Sequence, residues 1–537
     1  DRMRVFYFVI LVFLCCQSLS AQFCHPQDSL ELVKLYQAAD GPNWSKKWDL
    51  SKPVKYNWAG VGVNDNGRVT GINLRGNKLS GTFPSLVLRE LRWVDLTFND
   101  LTGSLPAFDS MPNLELLLLF SNQFTGSIPN FNILSKIQEI DLSENQMSGD
   151  LPDFALPALQ KLNLSYNGFT GGIPACDCPN LVNFLLEKNE LTGEIPNFTH
   201  PKLGWISLSL NHLTGNIPDF DLPELAILAA SGNELSGNLP DFSKLPKLRN
   251  MVLHDNQFTG SIPNFQLPNL DRIYLSGNKL EGNIPAFDLP DLSALYIGHN
   301  QLTGNIPNFQ LPTLFGLDVS SNQLSGKIPD ISTPLNYVYL DNNRFTFDGL
   351  EELKLKNSPS IFHFNPQAPI PMLVSGNVLS VNARGTLANN TYFWYRDSVL
   401  VAEKTGDSTF VADQPGTYFC KIVNSVLVLS SGIQFTLLSE PYSHTVSTDE
   451  VFGKSAFQVF PNPLAAGQPL QILLKNDFFG TVKIEILSLD GRVLQTFFTE
   501  KTSRVVTWSY PVTNAPASFF VRVSDGEVAT VRLVLKN

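Results

Sequence analysis

The chain has 537 residues, with 38 Lys and Arg against 49 Asp and Glu, so its formal net charge at pH 7 is −11. Charged residues make up only 16% of the chain and apolar residues 43%, which favours a large packed structure and excludes an intrinsically disordered chain. The acidic balance disfavours nucleic acid as a partner, because phosphate binding needs a face rich in Lys and Arg. The length indicates roughly three or four domains.

The amino terminus has the pattern of an export signal. Arg2 and Arg4 precede an apolar run over residues 5–14, and small or polar residues follow up to Ala21. This arrangement is typical of a signal peptide, so residues 1–21 are predicted to be one, with cleavage after Ala21. The apolar run is too short for an ordinary membrane span, and no later stretch reaches about 18 apolar residues. We therefore expect a soluble exported protein without a transmembrane helix.

The middle of the chain repeats a single pattern. Residues 270–278 (LDRIYLSGN) correspond to residues 292–300 (LSALYIGHN), and the shared template is L-x-x-L-x-L-x-x-N-x-L-x-G-x-I-P-x-F-x-L-P. The pattern is that of a leucine-rich repeat, and it resembles the plant-type subclass, which carries the same G-x-I-P segment. It predicts a mainly β fold, a solenoid of about 13 stacked units. The marker asparagines, spaced 21 to 23 residues apart, are Asn77, Asn99, Asn122, Asn145, Asn167, Asn189, Asn211, Asn233, Asn256, Asn278, Asn300, Asn322 and Asn343.

Each position of the template has a physical role. The leucines of a unit, such as Leu159, Leu162 and Leu164, point inward, because one coil cannot bury its own apolar face and stacking supplies the core. The Asn lies where the chain leaves the strand, and its amide can pair backbone groups that would otherwise be buried without a partner. The Gly four residues later permits a backbone conformation that other residues resist. The following Phe, such as Phe220, is expected to close the convex side.

The end coils of such a stack need covering, because they would otherwise expose leucine. Residues 22–68 fit an amino-terminal cap, in which residues 28–39 are predicted to form a short helix with Asp28 as its N-cap. The helix is followed by three tryptophans, Trp44, Trp48 and Trp58.

The cap resembles that of plant-type leucine-rich repeats through its W-x-G-V segment. The plant cap is stapled by cysteines that flank this segment, but Tyr56 and Val63 occupy those positions here. The tryptophans must then hold the cap together. The solenoid is predicted to span residues 69–356, with residues 347–355 as its carboxy-terminal cap.

The 22-residue period then stops, and short alternating runs separated by turn residues take its place. They favour an antiparallel β-sandwich over residues 357–439. Trp394 and the D-x-x-G-x-Y-x-C segment ending at Cys420 resemble an immunoglobulin-like domain. The resemblance implies that Trp394 lies in the core and that Tyr418 makes a tyrosine corner. Val381 stands where the partner of Cys420 is expected, so Cys420 is predicted to be a buried thiol.

Residues 440–454 are polar and are predicted to be a linker. Residues 455–537 form a last module, predicted to be a second small β-sandwich, with P-N-P at 461–463, D-G-R at 490–492 and a basic, apolar end. The module resembles the type A C-terminal sorting domain of the type IX secretion system of Bacteroidetes, although residues 517–519 (ASF) replace the family's G-x-Y. The resemblance implies passage across the outer membrane, removal of the tail, and either surface attachment or release.

The sequence carries no catalytic signature. It has no C-x-x-C, H-E-x-x-H, P-loop or G-x-S-x-G motif, and its seven histidines are scattered. No catalytic residue, metal site or cofactor is therefore predicted. Besides Cys24 and Cys420, the chain after the signal has Cys176 and Cys178, which stand where other units carry Phe and Leu. This position favours two small buried apolar side chains, with a local disulfide or a metal half-site as alternatives.

A ligand is expected on the concave sheet, where each unit presents the residues that flank its inward leucines. Exposed Tyr and Trp side chains are used by sugar rings and by protein hot spots, although isolated surface aromatics are common. Tyr274 and Tyr296 occupy the same place in successive units, so their rings should lie about 4.8 Å apart. The candidate ligand-binding residues are Arg272, Tyr274, Tyr296, Tyr337, Tyr339, Trp205 and His254.

The whole pattern predicts a secreted or cell-surface, non-enzymatic binding or adhesion protein of a Gram-negative bacterium. It would recognise a protein or a glycan through the concave face, and the tail would engage the type IX secretion machinery. Two alternatives stay open. One is a glycan-binding accessory protein of a polysaccharide-degrading system, and the other is a structural surface-layer component without a specific ligand.

Overall fold

The computed structural model describes residues 24–309, 311–331, 334–357, 359–428, 432–445, 456–460, 462, 464, 468–475, 480–489, 491–503, 505–511, 518–524 and 529–535. The predicted signal peptide (1–21) with its cleavage point lies outside the described residues, as do positions 446–454 of the predicted linker. Of the tail motifs, Pro461, Pro463, Asp490 and Ala517 also lie outside them.

A sheet of 15 strands forms the concave face, with one strand added by each coil. All neighbouring strands are parallel except the first pair, which is antiparallel. The inward leucines, such as Leu159, Leu162 and Leu164, are fully buried, and the predicted fold class is confirmed. The strands are Val61–Val63, Val69–Asn73, Trp93–Asp95, Leu116–Leu118, Glu139–Asp141, Lys161–Asn163, Asn183–Leu185, Trp205–Ser207, Ile227–Ala229, Asn250–Val252, Arg272–Tyr274, Ala294–Tyr296, Gly316–Asp318, Tyr337–Tyr339 and Ile361–His363.

Short parallel strands follow the marker asparagines and form a second wall. The glycine four residues after the Asn has a φ between +72° and +90° in twelve units, from Gly81 to Gly326, which is the left-handed conformation expected of it. The convex phenylalanines, Phe220 among them, are buried. The strands of the second wall are Ser80–Thr82, Asp100–Ser104, Gln123–Gly126, Gln146–Asp150, Gly168–Thr170, Thr192–Glu194, His212–Thr214, Ser236–Asn238, Gln257–Thr259, Glu281–Asn283 and Gln301–Thr303.

The marker asparagines tie successive coils together. Asn211 is typical: its Oδ1 accepts the backbone N–H of Leu191 at 3.0 Å, and its Nδ2 donates to the carbonyls of Leu186 at 3.0 Å and Leu208 at 3.1 Å. Two of these three partners belong to the preceding coil. At the amino-terminal end, Asn77 exchanges the same kind of hydrogen bonds with Lys46 of the cap. The side chains therefore pair backbone groups that the closely stacked coils shield from water.

The residue before each marker asparagine has a positive φ in all thirteen coils, a feature that the sequence pattern did not reveal. A side chain with a Cβ is strained in this left-handed conformation, and only three of the thirteen positions carry glycine. The thirteen residues are Gly76, Phe98, Ser121, Glu144, Tyr166, Lys188, Leu210, Gly232, Asp255, Gly277, His299, Ser321 and Asn342.

The cap begins with the helix Pro26–Ala38, followed by a 3₁₀ turn at Gly41–Asn43 and a short helix at Val54–Asn57. The prediction that Asp28 is the N-cap is wrong. His25 is the N-cap and accepts the N–H of Gln27 at 3.3 Å, because Pro26 starts the helix one turn early. Asp28 is instead completely buried within the first turn.

Aromatic rings hold the cap, as expected from the absence of a cysteine staple. The ring centroids of Trp44 and Trp48 lie 4.9 Å apart, and those of Trp48 and Trp58 lie 5.0 Å apart. Tyr36 of the first helix packs edge-on against Trp44 at 4.9 Å. All four side chains are buried, so this cluster covers the first coil.

The concave sheet continues past the boundary at residue 356 that the sequence predicts. The helix Leu350–Asn357 covers the last coil, but the chain then adds the strand Ile361–His363 to the same sheet. Glu351 of the helix accepts hydrogen bonds from Asn424 Nδ2 at 2.5 Å and from the Thr386 hydroxyl at 2.5 Å. The buried core is therefore continuous from the solenoid into the following module.

The following module consists of two antiparallel sheets. Trp394 lies fully buried, and the Tyr418 hydroxyl donates to the carbonyl of Gln414 at 2.8 Å. Cys420 is a buried free thiol, as predicted, and burial raises its pKa. One sheet contains Met372–Ser375, Val378–Val381 and Thr409–Val411, and the other contains Asn390–Arg396, Val399–Thr405, Gly416–Val428, Gln434–Leu438 and Tyr442–His444, with a 3₁₀ turn at Leu387–Asn389.

The tail module has a second core of its own, built from residues such as Ile472, Ile484 and Val521. Glu485 is buried and binds Arg522 and Lys483, each at 2.7 Å. The described strands are Ala456–Phe460, Leu470–Lys475 and Val505–Tyr510 in one sheet, and Gly480–Leu487, Val493–Lys501, Ser518–Ser524 and Ala529–Leu535 in the other.

Candidate functional site

Aromatic side chains line up across the carboxy-terminal third of the concave sheet. Tyr274 and Tyr296 are register partners on neighbouring strands, with ring centroids 5.1 Å apart and planes tilted by 59°. Asp318 follows on the next strand, and then Tyr339. His363 extends the row by one more strand, with its ring 4.9 Å from that of Tyr339. We call these five residues the aromatic row.

Small residues beside the row form its floor. Ala294 and Gly316 are buried and occupy the column between Arg272 and Tyr337. A Cβ atom on Gly316 would come within 2.8 Å of the Tyr296 hydroxyl, so the Tyr296 ring leans across the strand onto this glycine. A larger side chain at Gly316 would lift the ring away from the sheet.

A second pair of rings borders the floor. Tyr337 and Phe315 make an edge-to-face contact with centroids 5.3 Å apart, and 49% of the Phe315 surface is exposed. At the opposite side, the exposed Arg272 guanidinium lies 3.6 Å from the carboxylate of Asp271. The surface therefore combines flat apolar faces with one cation.

The Tyr296 hydroxyl stays protonated at neutral pH. Burial, followed by the proximity of Tyr274, Tyr339 and Asp318, raises the pKa of Tyr296 above its ordinary value of 10.0. Asp318 accepts hydrogen bonds from the N–H of Ser320 at 2.9 Å and from its hydroxyl at 2.7 Å. The row thus offers phenol hydroxyls beside one oriented carboxylate.

The structure brings five of the seven sequence-predicted residues into this region, and the other two, Trp205 and His254, belong to earlier coils. Trp205, 38% exposed, lies three strands before Arg272 in the sheet order. His254 pairs with the carboxylate of its neighbour Asp255 at 2.7 Å. His363 and Phe315 were missed, because His363 follows the end of the repeat pattern and Phe315 sits at a template position that usually faces the solvent.

The template position of Tyr274, here called the central column, does not face the solvent in every coil. Ser207 is only 3% exposed and its hydroxyl lies 3.2 Å from Glu187 Oε2. Leu185 and Asp141 in the same column are also buried. Side chains on neighbouring strands contribute to this burial, as in the contact of Lys161 Nζ with Asp141 at 3.1 Å.

A smaller aromatic group lies at the other end of the sheet. The Arg75 guanidinium stacks over the Phe98 ring at 4.4 Å and reaches the Phe120 ring at 5.6 Å. The two phenylalanines contact each other edge-on at 4.8 Å. The Arg75 cation already contacts two aromatic faces within the protein. A ligand would therefore gain less binding energy here than at the aromatic row.

The preferred interpretation of Cys176 and Cys178 as two small buried apolar side chains is wrong, and the local disulfide that was left as an alternative is present. The two residues form a disulfide, with one residue, Asp177, between them. Within the described residues there is no cluster of three or more His, Cys, Asp or Glu side chains that could hold a metal ion. In the same part of the chain, no helix is long and apolar enough to cross a membrane.

Comparisons with known proteins agree with this fold. A leucine-rich repeat family model matches residues 158–178. A 62-residue stretch is 45% identical to the probable inactive receptor kinase RLK902 of Arabidopsis thaliana, which is 11% of this chain and 9% of that protein.

Among solved structures, the PEPR1–AtPEP1 complex aligns with a TM-score of 0.55 and 26% identity, over 64% of this chain and 56% of that one. The Leptospira interrogans leucine-rich repeat protein LIC12759 aligns with a TM-score of 0.40 and 25% identity, over 55% of this chain and 84% of that one. The chain thus spans little more than half of PEPR1 and a small part of RLK902. The repeated middle of the chain is a leucine-rich repeat solenoid.

Proposed function

We propose that the protein is a non-enzymatic binding protein, which recognises a protein or a glycan through the aromatic row and its floor. The observation that carries the proposal is the contact between Tyr274 and Tyr296 beside the floor formed by Ala294 and Gly316. Aromatic rings supply large contact areas at low entropic cost, and phenol hydroxyls add hydrogen bonds. The rings of Tyr274 and Tyr296 are not needed to fill the solenoid core, since the inward leucines already fill it.

The electrostatics favour an uncharged or weakly charged ligand. Arg272 is the cation beside the row and is partly neutralised by Asp271, while Asp318 adds a negative charge within the row. A nucleotide or another polyanion would need more positive charge. A sugar ring or an extended peptide fits the flat faces and the neutral hydroxyls.

The proposal is tested with the full chain on an array of glycans and surface proteins. The double change Tyr274→Ala and Tyr296→Ala should weaken binding by at least about 2 kcal/mol, because two hot-spot rings are lost. Tyr166→Ala is the matched control, since Tyr166 is 43% exposed and lies outside the row. Circular dichroism spectra of the wild type and both variants, recorded before the binding measurement, check that loss of the half-buried rings has not unfolded the protein.

The outcomes also separate the alternatives. Binding to soluble glycans alone would favour an accessory role in polysaccharide degradation. Self-assembly without any ligand would favour a surface-layer component. Identical profiles for the wild type and the double variant would remove the aromatic row as the binding surface.

We further propose that the protein is exported to the outer surface of a Gram-negative bacterium, with residues 455–537 as a type IX sorting domain and residues 357–439 as an immunoglobulin-like spacer. The separate core of the tail supports an independent module, and the buried Trp394 and the Tyr418–Gln414 hydrogen bond support the spacer. Deleting residues 455–537 should trap the protein in the periplasm of a type IX-competent host. Undiminished surface or medium levels of the truncated protein would contradict the export role.

A further inference from the structure

The apolar column on the convex side is interrupted in two adjacent coils. The segment F-x-L-P recurs along the solenoid, but it reads C-x-C-P at residues 176–179 and F-x-H-P at residues 198–201. His200 therefore occupies the same place in its coil as Cys178 does in the preceding one. In five other coils this place is taken by a buried leucine, at Leu156, Leu222, Leu267, Leu289 and Leu311.

The disulfide is reachable from one side only. Cys176 is half-buried, whereas Cys178 is 1% exposed and belongs to the apolar core. An incoming thiolate can therefore approach the Cys176 sulfur and leave the Cys178 sulfur as the departing group. A single residue separates the two cysteines, and a disulfide that closes so short a loop stabilises the fold least.

His200 has an unused nitrogen beside this disulfide. Its Nε2 lies 2.9 Å from the carbonyl oxygen of Cys176, and because a carbonyl only accepts, Nε2 carries the proton. Nδ1 is then a bare acceptor, and it is buried with no hydrogen-bond partner among the described residues. The side chain as a whole is 8% exposed. Burying an acceptor without a partner is costly, and leucine avoids that cost in the other coils.

We propose that Cys176 and Cys178 form a redox-active disulfide that oxidises dithiols, and that His200 stabilises its reduced form. His200 occupies the place of Cys178 in the next coil, and the contact of its Nε2 with the Cys176 carbonyl at 2.9 Å holds the ring beside this segment. When the disulfide is reduced, the Cys178 thiol becomes a donor for Nδ1. The oxidised form cannot make this hydrogen bond, so His200 shifts the equilibrium towards reduction. This activity is independent of ligand binding on the concave face.

The exchange balances as a two-electron transfer from a substrate dithiol. A substrate thiolate attacks the Cys176 sulfur, the Cys176–Cys178 bond breaks, and its electron pair leaves on the Cys178 sulfur, which takes up a proton. The second substrate thiolate then attacks the substrate sulfur of the mixed disulfide and releases the Cys176 thiolate, which is protonated in turn. The substrate gains one disulfide and the protein holds two thiols. A small-molecule disulfide such as oxidised glutathione restores the protein by the reverse steps.

The test uses the full chain with Cys15, Cys16 and Cys24 each changed to Ser, so that no cysteine before the repeats reacts. A synthetic peptide with two cysteines serves as the dithiol. The folded protein should form about one equivalent of peptide disulfide while Cys176 and Cys178 become open to alkylation, as read by mass spectrometry. The Cys178→Ser variant should trap the peptide, supplied as its mixed disulfide with glutathione, on Cys176. The matched Cys176→Ser variant should trap little, because Cys178 is buried.

The role of His200 is read from the equilibrium with glutathione. His200→Leu, which restores the residue of the other coils, should shift the equilibrium constant by about tenfold towards the disulfide, since one hydrogen bond to the reduced form is lost. The His200→Leu variant should be at least as stable as the wild type. The glutathione equilibrium of the variant is therefore measured on a fully folded protein. The proposal would be overturned if the dithiol peptide left the Cys176–Cys178 disulfide of the folded chain unreduced. It would also be overturned if wild type and His200→Leu had the same equilibrium constant with glutathione.

Discussion

The carboxylate of Asp28 is completely buried and accepts hydrogen bonds from both Nε and Nη2 of Arg68, at 2.9 and 2.8 Å. The same carboxylate also accepts the backbone N–H of Val69 at 2.9 Å. Asp28 belongs to the cap helix, whereas Arg68 and Val69 lead into the solenoid sheet. One side chain thus joins the cap to the first coil through three hydrogen bonds.

Replacing Asp28 should detach the cap. We expect Asp28→Asn to lower the free energy of unfolding of the cap region by about 3 kcal/mol, because Arg68 and the N–H of Val69 lose a charged partner in a buried place. The fluorescence of the cap tryptophans during denaturant unfolding measures the effect. Asp65→Asn is the control, since Asp65 is exposed. Equal midpoints for the two variants would contradict a structural role for the ion pair.

The marker asparagines should be individually important for stability. Asn189 accepts the N–H of Phe169 at 3.1 Å and donates to the carbonyls of Leu164 and Leu186, each at 3.1 Å. Asn189→Ala should cost about 1–3 kcal/mol, because buried backbone groups lose their partners. The control is Gln301→Ala, which should change stability by less than about 0.5 kcal/mol because Gln301 is exposed. If both changes shift the denaturant midpoint equally, the asparagines are not structural.

The left-handed residues that precede the marker asparagines offer a way to stabilise the solenoid. Glu144 is exposed and has a φ of +53°, a conformation in which a Cβ atom crowds the backbone. Glu144→Gly should raise the free energy of unfolding by about 1 kcal/mol by relieving this strain. Glu144→Ala keeps the Cβ and should give no gain, which makes it the control in thermal denaturation. A similar gain from alanine would attribute the effect to the lost charge.

The junction between solenoid and sandwich should weaken in acid. Burial raises the pKa of the Glu351 carboxyl, but hydrogen bonds from Thr386, Asn424 and Asn389 outweigh burial and leave the pKa below its ordinary value of 4.5. The folded state therefore binds this proton less readily than the unfolded state. The resulting stability is present above pH 4.5 and is lost as the pH falls through the lower folded value.

Thermal unfolding measured across this pH range tests the junction. Glu351→Gln should be less stable than wild type at neutral pH, and the difference should shrink in acid. Glu352→Gln on the same helix is the control, because Glu352 is exposed. A difference between wild type and Glu351→Gln that is constant with pH would exclude titration of Glu351 as the cause.

Much of the solenoid could be predicted from the sequence, because its constraints recur in every coil. A buried leucine, a turn asparagine or a left-handed glycine has the same surroundings in one coil after another, so the repeated residue types reveal those surroundings. The tryptophan cluster of the cap and the buried thiol of Cys420 were also predictable. In both domains a disulfide that is typical of the family is missing. In the cap the tryptophans must then pack in its place, and in the sandwich Cys420 is left as a buried thiol.

The candidate site was only partly predictable, for the opposite reason. Tyr274 and Tyr296 share a template position, so the sequence alone placed their rings side by side. The addition of His363 depends on a strand that forms after the repeat has ended, and the leaning of Tyr296 depends on the missing side chain at Gly316.

Repetition in the sequence determined which residues play the same role, since every coil must satisfy the same packing and hydrogen bonding. Some residues depart from the pattern, and only the tertiary structure decided which of them contact one another. The pairing of Asp28 with Arg68 and the contact of Glu351 with Asn424 join side chains that no shared period relates. Their partners are chosen by the stacking of coils and by the folding back of the cap and the sandwich, and these are properties of the packed chain.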